Sequence, residues 1–225
     1  MARELTLPIT YLVTSGETTS ATTPSSAEFL ALLALVERAA AARVALVQLR
    51  EKALSARTLY ELAARAARLT RGSATRLLVN DRADIARAAG CDGVHLTARS
   101  LDAAVVRRAF GPDFLVGVSA HTLAEARAAR DGGADFAVFG PVFDTPTKRQ
   151  YGPPLGLGRL REAAEALAPF PLVAIGGVNR ENARDALRAG ARGVAAIRLF
   201  ADGADGADGQ NLARAVHLIE SLGAP

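Results

Sequence analysis

Five polar clusters interrupt an otherwise Ala-, Leu- and Arg-rich chain. They are Gln48-Leu49-Arg50-Glu51-Lys52, Asn80-Asp81-Arg82, Ser119-Ala120-His121, the stretch from Gly140-Pro141-Val142-Phe143 through Thr145 and Thr147 to Lys148, and Gly176-Gly177. Arg50, Lys52 and Lys148 supply cationic donors, Ser119, Thr145 and Thr147 supply hydroxyls, and the bare amides of Gly176-Gly177 precede a helix expected to start near Asn179, where an anion can meet a helix N-terminus. Asp81, beside such cations, is a carboxylate able to hold Mg2+ against a phosphate. His121 is the candidate acid or base. Each cluster also has a plainer reading. Arg50 and Glu51 can form an internal salt bridge, Asn80 and Asp81 can cap the next helix, His121 can serve only its own loop, and residues 140–148 can be a surface turn. His95 lies in a strand and reads as a satisfied core group. Hydrolase chemistry at Ser119 and His121 finds no support, because no Gly-x-Ser-x-Gly surrounds Ser119.

These groups need elements to bring them together. Eight short apolar runs, at 9–13, 44–49, 76–79, 93–96, 114–118, 136–139, 172–175 and 193–197, alternate with helical stretches at 27–42, 56–71, 84–89, 102–110, 124–131, 160–168, 181–189 and 212–222. Runs that are apolar without alternation suit strands covered on both faces, and the βα order calls for a parallel sheet. Ser25 or Ser26 marks the first helix start, and Thr122 with Glu125 three residues on has the form of a capping box. A weak repeat, Ala-Gly-Cys-Asp-Gly-Val at 89–94, Gly-Gly-Ala-Asp-Phe-Ala at 132–137 and Ala-Gly-Ala-Arg-Gly-Val at 189–194, puts a Gly where each helix gives way to a strand. The fold class read from this is α/β, a single (β/α)8 TIM barrel over residues 1–225; a doubly wound open sheet is the alternative that pattern alone leaves standing. In a barrel the functional groups gather at the strand C-termini, where all five clusters fall. Alternation sends Gln48 and Arg50 to one side of their strand, which the barrel reading makes the interior.

Composition agrees. At 225 residues and 50% hydrophobic the chain can build one large core. Its net charge of +4 favours anionic partners, but the arginines are spread over many segments and no aromatics are interleaved with them, which argues for small phosphorylated ligands and against nucleic acid. The lone Cys91 can form no internal disulfide, residues 1–8 lack a signal-peptide core, and every apolar run is broken before membrane-spanning length, so a cytoplasmic protein without a membrane partner is expected. The repeated Ala-Asp-Gly at 201–209 reads as a connection into the last helix, and residues 15–24 and 144–154 read as loops able to close over a site.

Taken in order, Tyr11-Leu12-Val13-Thr14, Gln48-Leu49-Arg50-Glu51-Lys52, Asn80-Asp81-Arg82, Gly93-Val94-His95-Leu96, Gly117-Val118-Ser119, Gly140-Pro141-Val142-Phe143 with Thr145, Thr147 and Lys148, and Ala174-Ile175-Gly176-Gly177-Val178 resemble the thiamine phosphate synthase family across nearly the whole chain. The resemblance implies a transferase that couples hydroxymethylpyrimidine diphosphate with hydroxyethylthiazole phosphate, releasing pyrophosphate and thiamine phosphate through a pyrimidine-methyl cation. It implies that Gln48, Arg50, Lys52, Asn80, Ser119 and Lys148 bind the pyrimidine diphosphate and that Asp81 ligates Mg2+. Thr145, Thr147, Gly176 and Gly177 would bind the thiazole phosphate, and the last strand's end at Ile197 and Arg198 is a further candidate substrate contact. Small-molecule substrates are the implied partners; a homo-oligomer is possible, and the sequence does not disclose the oligomeric state.

Two departures mark this chain. The family's Gly-Gln-x-Asp after Gly-Val-His-Leu is here Thr97-Ala98-Arg99-Ser100, so Ser100 stands in place of the second metal carboxylate, with Asp102 or Arg99 as the nearby substitutes. The family's Ser after the last strand is Arg198, which can pair with the thiazole phosphate or point outward. These changes admit two alternatives: a thiazole tautomerase of the same superfamily, using His121 as acid–base group, and a non-catalytic paralogue that binds thiazole or thiamine phosphates.

Overall fold

Eight short strands, apolar on both faces, need cover on both sides, and in the computed structural model, which describes residues 5–145, 152–200 and 210–223, a closed sheet ringed by helices supplies it. The strands β1 (Ile9–Val13), β2 (Leu46–Leu49), β3 (Arg76–Asn80), β4 (Gly93–Leu96), β5 (Leu115–Ala120), β6 (Phe136–Phe139), β7 (Leu172–Ile175) and β8 (Gly193–Ala196) form a closed barrel in sequence order. Every pair is parallel, and β8 returns to β1 with Ile9 opposite Gly193. The chain is a TIM barrel, not the open sheet. The helices are α1 (Ala27–Ala41), α2 (Ala56–Thr70), α3 (Ala83–Ala88), α4 (Ala103–Phe110), α5 (Leu123–Asp131), α6 (Gly156–Leu167), α7 (Ala183–Arg188) and α8 (Gln210–Gly223).

Strand alternation divides the apolar residues into two cores. Ile9, Tyr11, Leu46, Leu78, Leu115, Phe136, Val138, Val173 and Ala195 fill the barrel interior. Their sequence neighbours, including Val47, Leu77, Val79, Val94, Val116, Ala137, Ala174 and Val194, face outward against Phe29, Val36, Leu62, Leu160 and Ile219 of the helices. In α1 the buried positions Phe29, Leu32, Val36 and Ala39 recur at helical spacing, and Ala, Leu and Arg, all good helix formers, fill the rest.

Element ends depart from the sequence reading where side chains capture the backbone. β2 starts at Leu46 and not at residue 44, because the Val44 amide donates to the Ala39 carbonyl and the Ala45 amide to Thr10 Oγ1, outside the ladder. β5 runs on to Ala120, since Ser119 and Ala120 pair with Val138 and Phe139. Thr122 Oγ1 accepts from the Glu125 amide as a capping box requires, but the Glu125 carboxylate returns to the His121 amide, one residue before the cap. Ser26 is the N-cap residue of α1, yet its hydroxyl accepts from the Thr23 amide instead of from the helix. The repeat reads true: Gly90, Gly133 and Gly190 all take left-handed φ values, of 75°, 80° and 96°. Its aspartates stitch the opposite end of the barrel, Asp92 accepting from the Leu77 amide and Asp135 from the Val116 amide and Arg107.

Candidate active site

The cluster after β2 is organised by its carboxylate. Glu51, 3% exposed, accepts from Thr14 Oγ1 at 2.5 Å and the Gly16 amide at 3.3 Å on one oxygen, and from Thr18 Oγ1 at 2.7 Å and the Thr18 amide at 3.4 Å on the other. The plainer reading, an Arg50–Glu51 salt bridge, is absent among the described residues; Glu51 spends its charge on the loop after β1. The same Thr14 hydroxyl accepts from the Arg50 amide at 2.9 Å, which fixes the backbone from which Arg50 extends. Arg50 is half-buried beside that loop, so that a Cβ added at Gly16 would stand 3.4 Å from its Nη1. Lys52, two residues on, is exposed.

Inside the barrel, inward-facing polar residues from four strands join in one chain of hydrogen bonds. Gln48 Nε2 donates to the Tyr11 hydroxyl at 2.8 Å, that hydroxyl meets His95 Nδ1 at 3.1 Å, and His95 Nε2 meets Ser119 Oγ at 2.9 Å. Phe136 closes the far side, edge-on to Tyr11 with centroids 5.7 Å apart. Burial pushes the His95 imidazolium down to about 4, with the Asp81 charge opposing and the Arg50 charge assisting, so both of those groups make themselves felt at the ring. Burial likewise raises the Tyr11 hydroxyl well above its usual range. The sequence reading of His95 as a satisfied strand residue holds, but it missed that the partners are Tyr11 and Ser119. Strand parity was the available signal: Tyr11, Gln48, His95 and Ser119 each occupy an inward position.

Asp81 follows β3 with φ of 60°, a left-handed backbone that Asp tolerates better than most residues. It does not cap α3, whose N-cap is Arg82. One carboxylate oxygen accepts from Asn80 Nδ2 at 2.7 Å; the other accepts from Thr97 Oγ1 at 3.0 Å and from the Ser100 hydroxyl in a short contact. Ser100 in turn accepts from the Thr97 amide at 2.7 Å. Thus Ser100, expected to stand in place of a second metal carboxylate, sits directly on Asp81. No three His, Cys, Asp or Glu side chains cluster among the described residues. Oxygens from Asp81 and Ser100 are hard ligands of the kind Mg2+ takes, and Mg2+ commonly uses one or two carboxylates and completes its shell from substrate phosphates and water. The donor set therefore fits a cation that arrives with a diphosphate. A cavity of about 410 Å3 adjoins it, lined by Thr97, Ser100, Leu101, Val118 and Ser119 among others.

Across the mouth, the loop after β6 packs against the turn after β7. A Cβ at Gly176 would lie 2.5 Å from Pro141 Cβ, and one at Gly177 would lie 2.5 Å from the Asp144 carbonyl oxygen; both glycines have positive φ, so neither position accepts a side chain. This contact puts Thr145, half-buried, one residue from the backbone that touches Gly177. The helix after β7 begins at Ala183 and not near Asn179. The amides of Glu181 and Asn182 are taken by Asn179 Oδ1 and the Asn179 amide by Asn182 Oδ1, so the turn caps itself. His121 is exposed, its Nδ1 donating to the Gly140 carbonyl at 2.5 Å. β8 stops at Ala196, leaving Ile197 and Arg198 exposed beyond it. Thr147 and Lys148 lie outside the described residues, as do parts of the loop at 144–154 and the Ala-Asp-Gly repeat. In sum, Gln48, Asn80 and Ser119 face one interior, Asp81 and Ser100 touch, and Arg50 overlooks them, whereas Lys52, His121, Ile197 and Arg198 stand at the exposed rim.

Known proteins resemble this chain in sequence and fold. The family model for thiamine monophosphate synthase matches residues 11–200. A putative thiamine-phosphate synthase from Geobacter sulfurreducens is 51% identical over 74% of this chain and 78% of its own length, and a thiamine-phosphate synthase from Moorella thermoacetica is 45% identical over 73% and 78%. Among solved structures, the thiamine phosphate pyrophosphorylase from Pyrococcus furiosus superposes with a TM-score of 0.74 at 29% identity, covering 94% of this chain and 93% of that one. A match that runs from the inward-facing Tyr11 of β1 to Phe200 beyond β8 takes in every polar cluster of the barrel mouth, and the chain belongs to the thiamine monophosphate synthase family.

Proposed function

We propose that this chain is a thiamine-phosphate synthase: it joins hydroxymethylpyrimidine diphosphate to hydroxyethylthiazole phosphate, with release of pyrophosphate. The observation that carries the reading is the convergence of Gln48, Asn80 and Ser119, from β2, β3 and β5, on the mouth flanked by Arg50 and Asp81. The C–O bond to the diphosphate breaks, the electron pair leaves with the diphosphate, and the thiazole nitrogen captures the pyrimidine-methyl cation. Such a reaction needs charge and position, not a covalent nucleophile. In this reading Arg50, Lys52 and Lys148 bind the diphosphate and offset its growing charge, while Gln48, Asn80 and Ser119 orient the pyrimidine diphosphate. Thr145, Thr147, Gly176 and Gly177 hold the thiazole phosphate, with Ile197 and Arg198 at its outer edge. Asp81, with Ser100 beside it, would hold Mg2+, whose charge balances that of the diphosphate when bound. A cytoplasmic location is part of this reading; no helix among the described residues is long and apolar enough to cross a membrane.

The test is direct. The purified chain, given both substrates and Mg2+, is expected to form thiamine phosphate, and Asp81→Asn, which keeps a residue tolerant of the left-handed backbone, is expected to cut kcat about 100-fold. Absence of coupling, with conversion of a thiazole carboxylate phosphate tautomer that His121→Ala abolishes, would replace this reading by the tautomerase one.

A further inference from the structure

The hydrogen-bond chain inside the barrel has a direction. Tyr11 has one hydroxyl proton, and its oxygen has two partners, Gln48 Nε2 and His95 Nδ1. The Gln48 amide nitrogen can only donate, so the Tyr11 proton goes to His95 Nδ1. An imidazole that accepts at Nδ1 carries its own proton at Nε2, and that proton goes to Ser119 Oγ, 2.9 Å away. Ser119 already accepts there, and its remaining proton is left for an acceptor in the half-exposed mouth. We propose that Tyr11 and His95 are positioning residues that orient the Ser119 hydroxyl and leave its proton free to be donated to the substrate.

The surroundings keep the direction in place. His95 is 3% exposed and its ring lies 5.8 Å from the Tyr11 ring and 6.3 Å from the Phe136 ring, centroid to centroid, so water cannot reorient the bonds. The neutral imidazole that the order requires is the form that burial favours. A Cβ at Gly117 would come within 3.0 Å of His95 Nδ1 and 2.4 Å of Phe136, so the bare backbone opposite makes room for both rings. The consequence is a preference: with one Ser119 lone pair held by His95, the hydroxyl proton is free for a ligand lone pair at this point, a diphosphate oxygen or a pyrimidine ring nitrogen. This rests on the reading of Ser119 as a substrate contact, made above.

Two measurements separate the relay from that reading. Histidine 15N NMR of the ligand-free chain reads the tautomer of each of the three histidines without any turnover, His95 being assigned by its loss in His95→Gln. The Nε2–H tautomer is expected in the native chain, and a mixture in Tyr11→Phe. Finding Nδ1–H instead, as would follow if Gln48 presented its oxygen to Tyr11, overturns the proposal. In kinetics, Tyr11→Phe is expected to lower kcat/KM on the order of ten-fold, as Ser119→Ala does, and the double variant to be no worse than Ser119→Ala alone within about two-fold. His95→Gln, whose amide can still donate to Ser119, is expected to recover most of the activity that His95→Leu loses. Additive losses in the double variant would refute action through Ser119. A native chain that forms no thiamine phosphate would sink the assigned reaction, while the NMR result would still decide the relay.

Discussion

Replacing Glu51 by Gln tests whether one buried carboxylate holds the loop after β1. A glutamine keeps the shape but offers one oxygen and one NH2 in place of two oxygens. In the native chain each carboxylate oxygen serves one hydroxyl, of Thr14 or Thr18, and one backbone amide, of Gly16 or Thr18. Whichever way the new amide turns, its NH2 faces one hydroxyl, which can rotate to accept, and one backbone N–H, which cannot. A buried amide losing its acceptor costs about 1–3 kcal/mol, and the surviving bonds lose their charge assistance, so a total of about 3 kcal/mol is expected. At roughly 2.1 cal/mol/K of unfolding entropy per residue, a chain of this size should drop in Tm by about 6 °C. Circular dichroism melts give the shift, and hydrogen exchange at residues 14–18 localises it. Glu37→Gln, on the exposed face of α1, is the control. A Tm loss no larger than the control's, or unchanged exchange in the loop, would refute the assignment of the loop's anchor to Glu51.

Two further changes probe the interior. His95 takes a proton near 6.5 when unfolded but only near 4 when folded, so the unfolded state binds more protons in that window. Its contribution is intact above pH 6.5 and is lost as pH falls toward 4, by up to about 3 kcal/mol; urea titrations across this range should show native and His95→Gln chains converging by that amount, and parallel curves would contradict it. Gly177→Ala forces a side chain into a left-handed residue against the Asp144 carbonyl and is expected to destabilise by about 1–3 kcal/mol and to weaken thiazole phosphate binding, while calorimetry with the pyrimidine diphosphate is little changed.

Much of the site was legible because a parallel strand's end is a place the chain must leave the barrel, and the sequence changes character there. The clusters at Gln48, Asn80, Ser119 and Gly176 were visible as polar interruptions of apolar runs. Their plainer readings could not be judged from sequence: Glu51 could have paired with Arg50, and Asp81 could have capped a helix. Both questions turn on partners from elsewhere, the Thr14–Thr18 loop in one case and Thr97 with Ser100 in the other. Nor did the sequence warn that Asn179 and Asn182 would take the amides expected to start a helix.

By itself the sequence determined the number and order of βα units, the left-handed glycines between them and the shared side of Gln48 and Arg50, because each depends on local periodicity or a single residue's steric freedom. The tertiary structure alone decided closure of the sheet, the choice of hydrogen-bond partner for each buried polar group and the seating of Ser100 on Asp81. Those outcomes depend on distances between residues far apart in the chain, which only the stagger of eight packed strands sets.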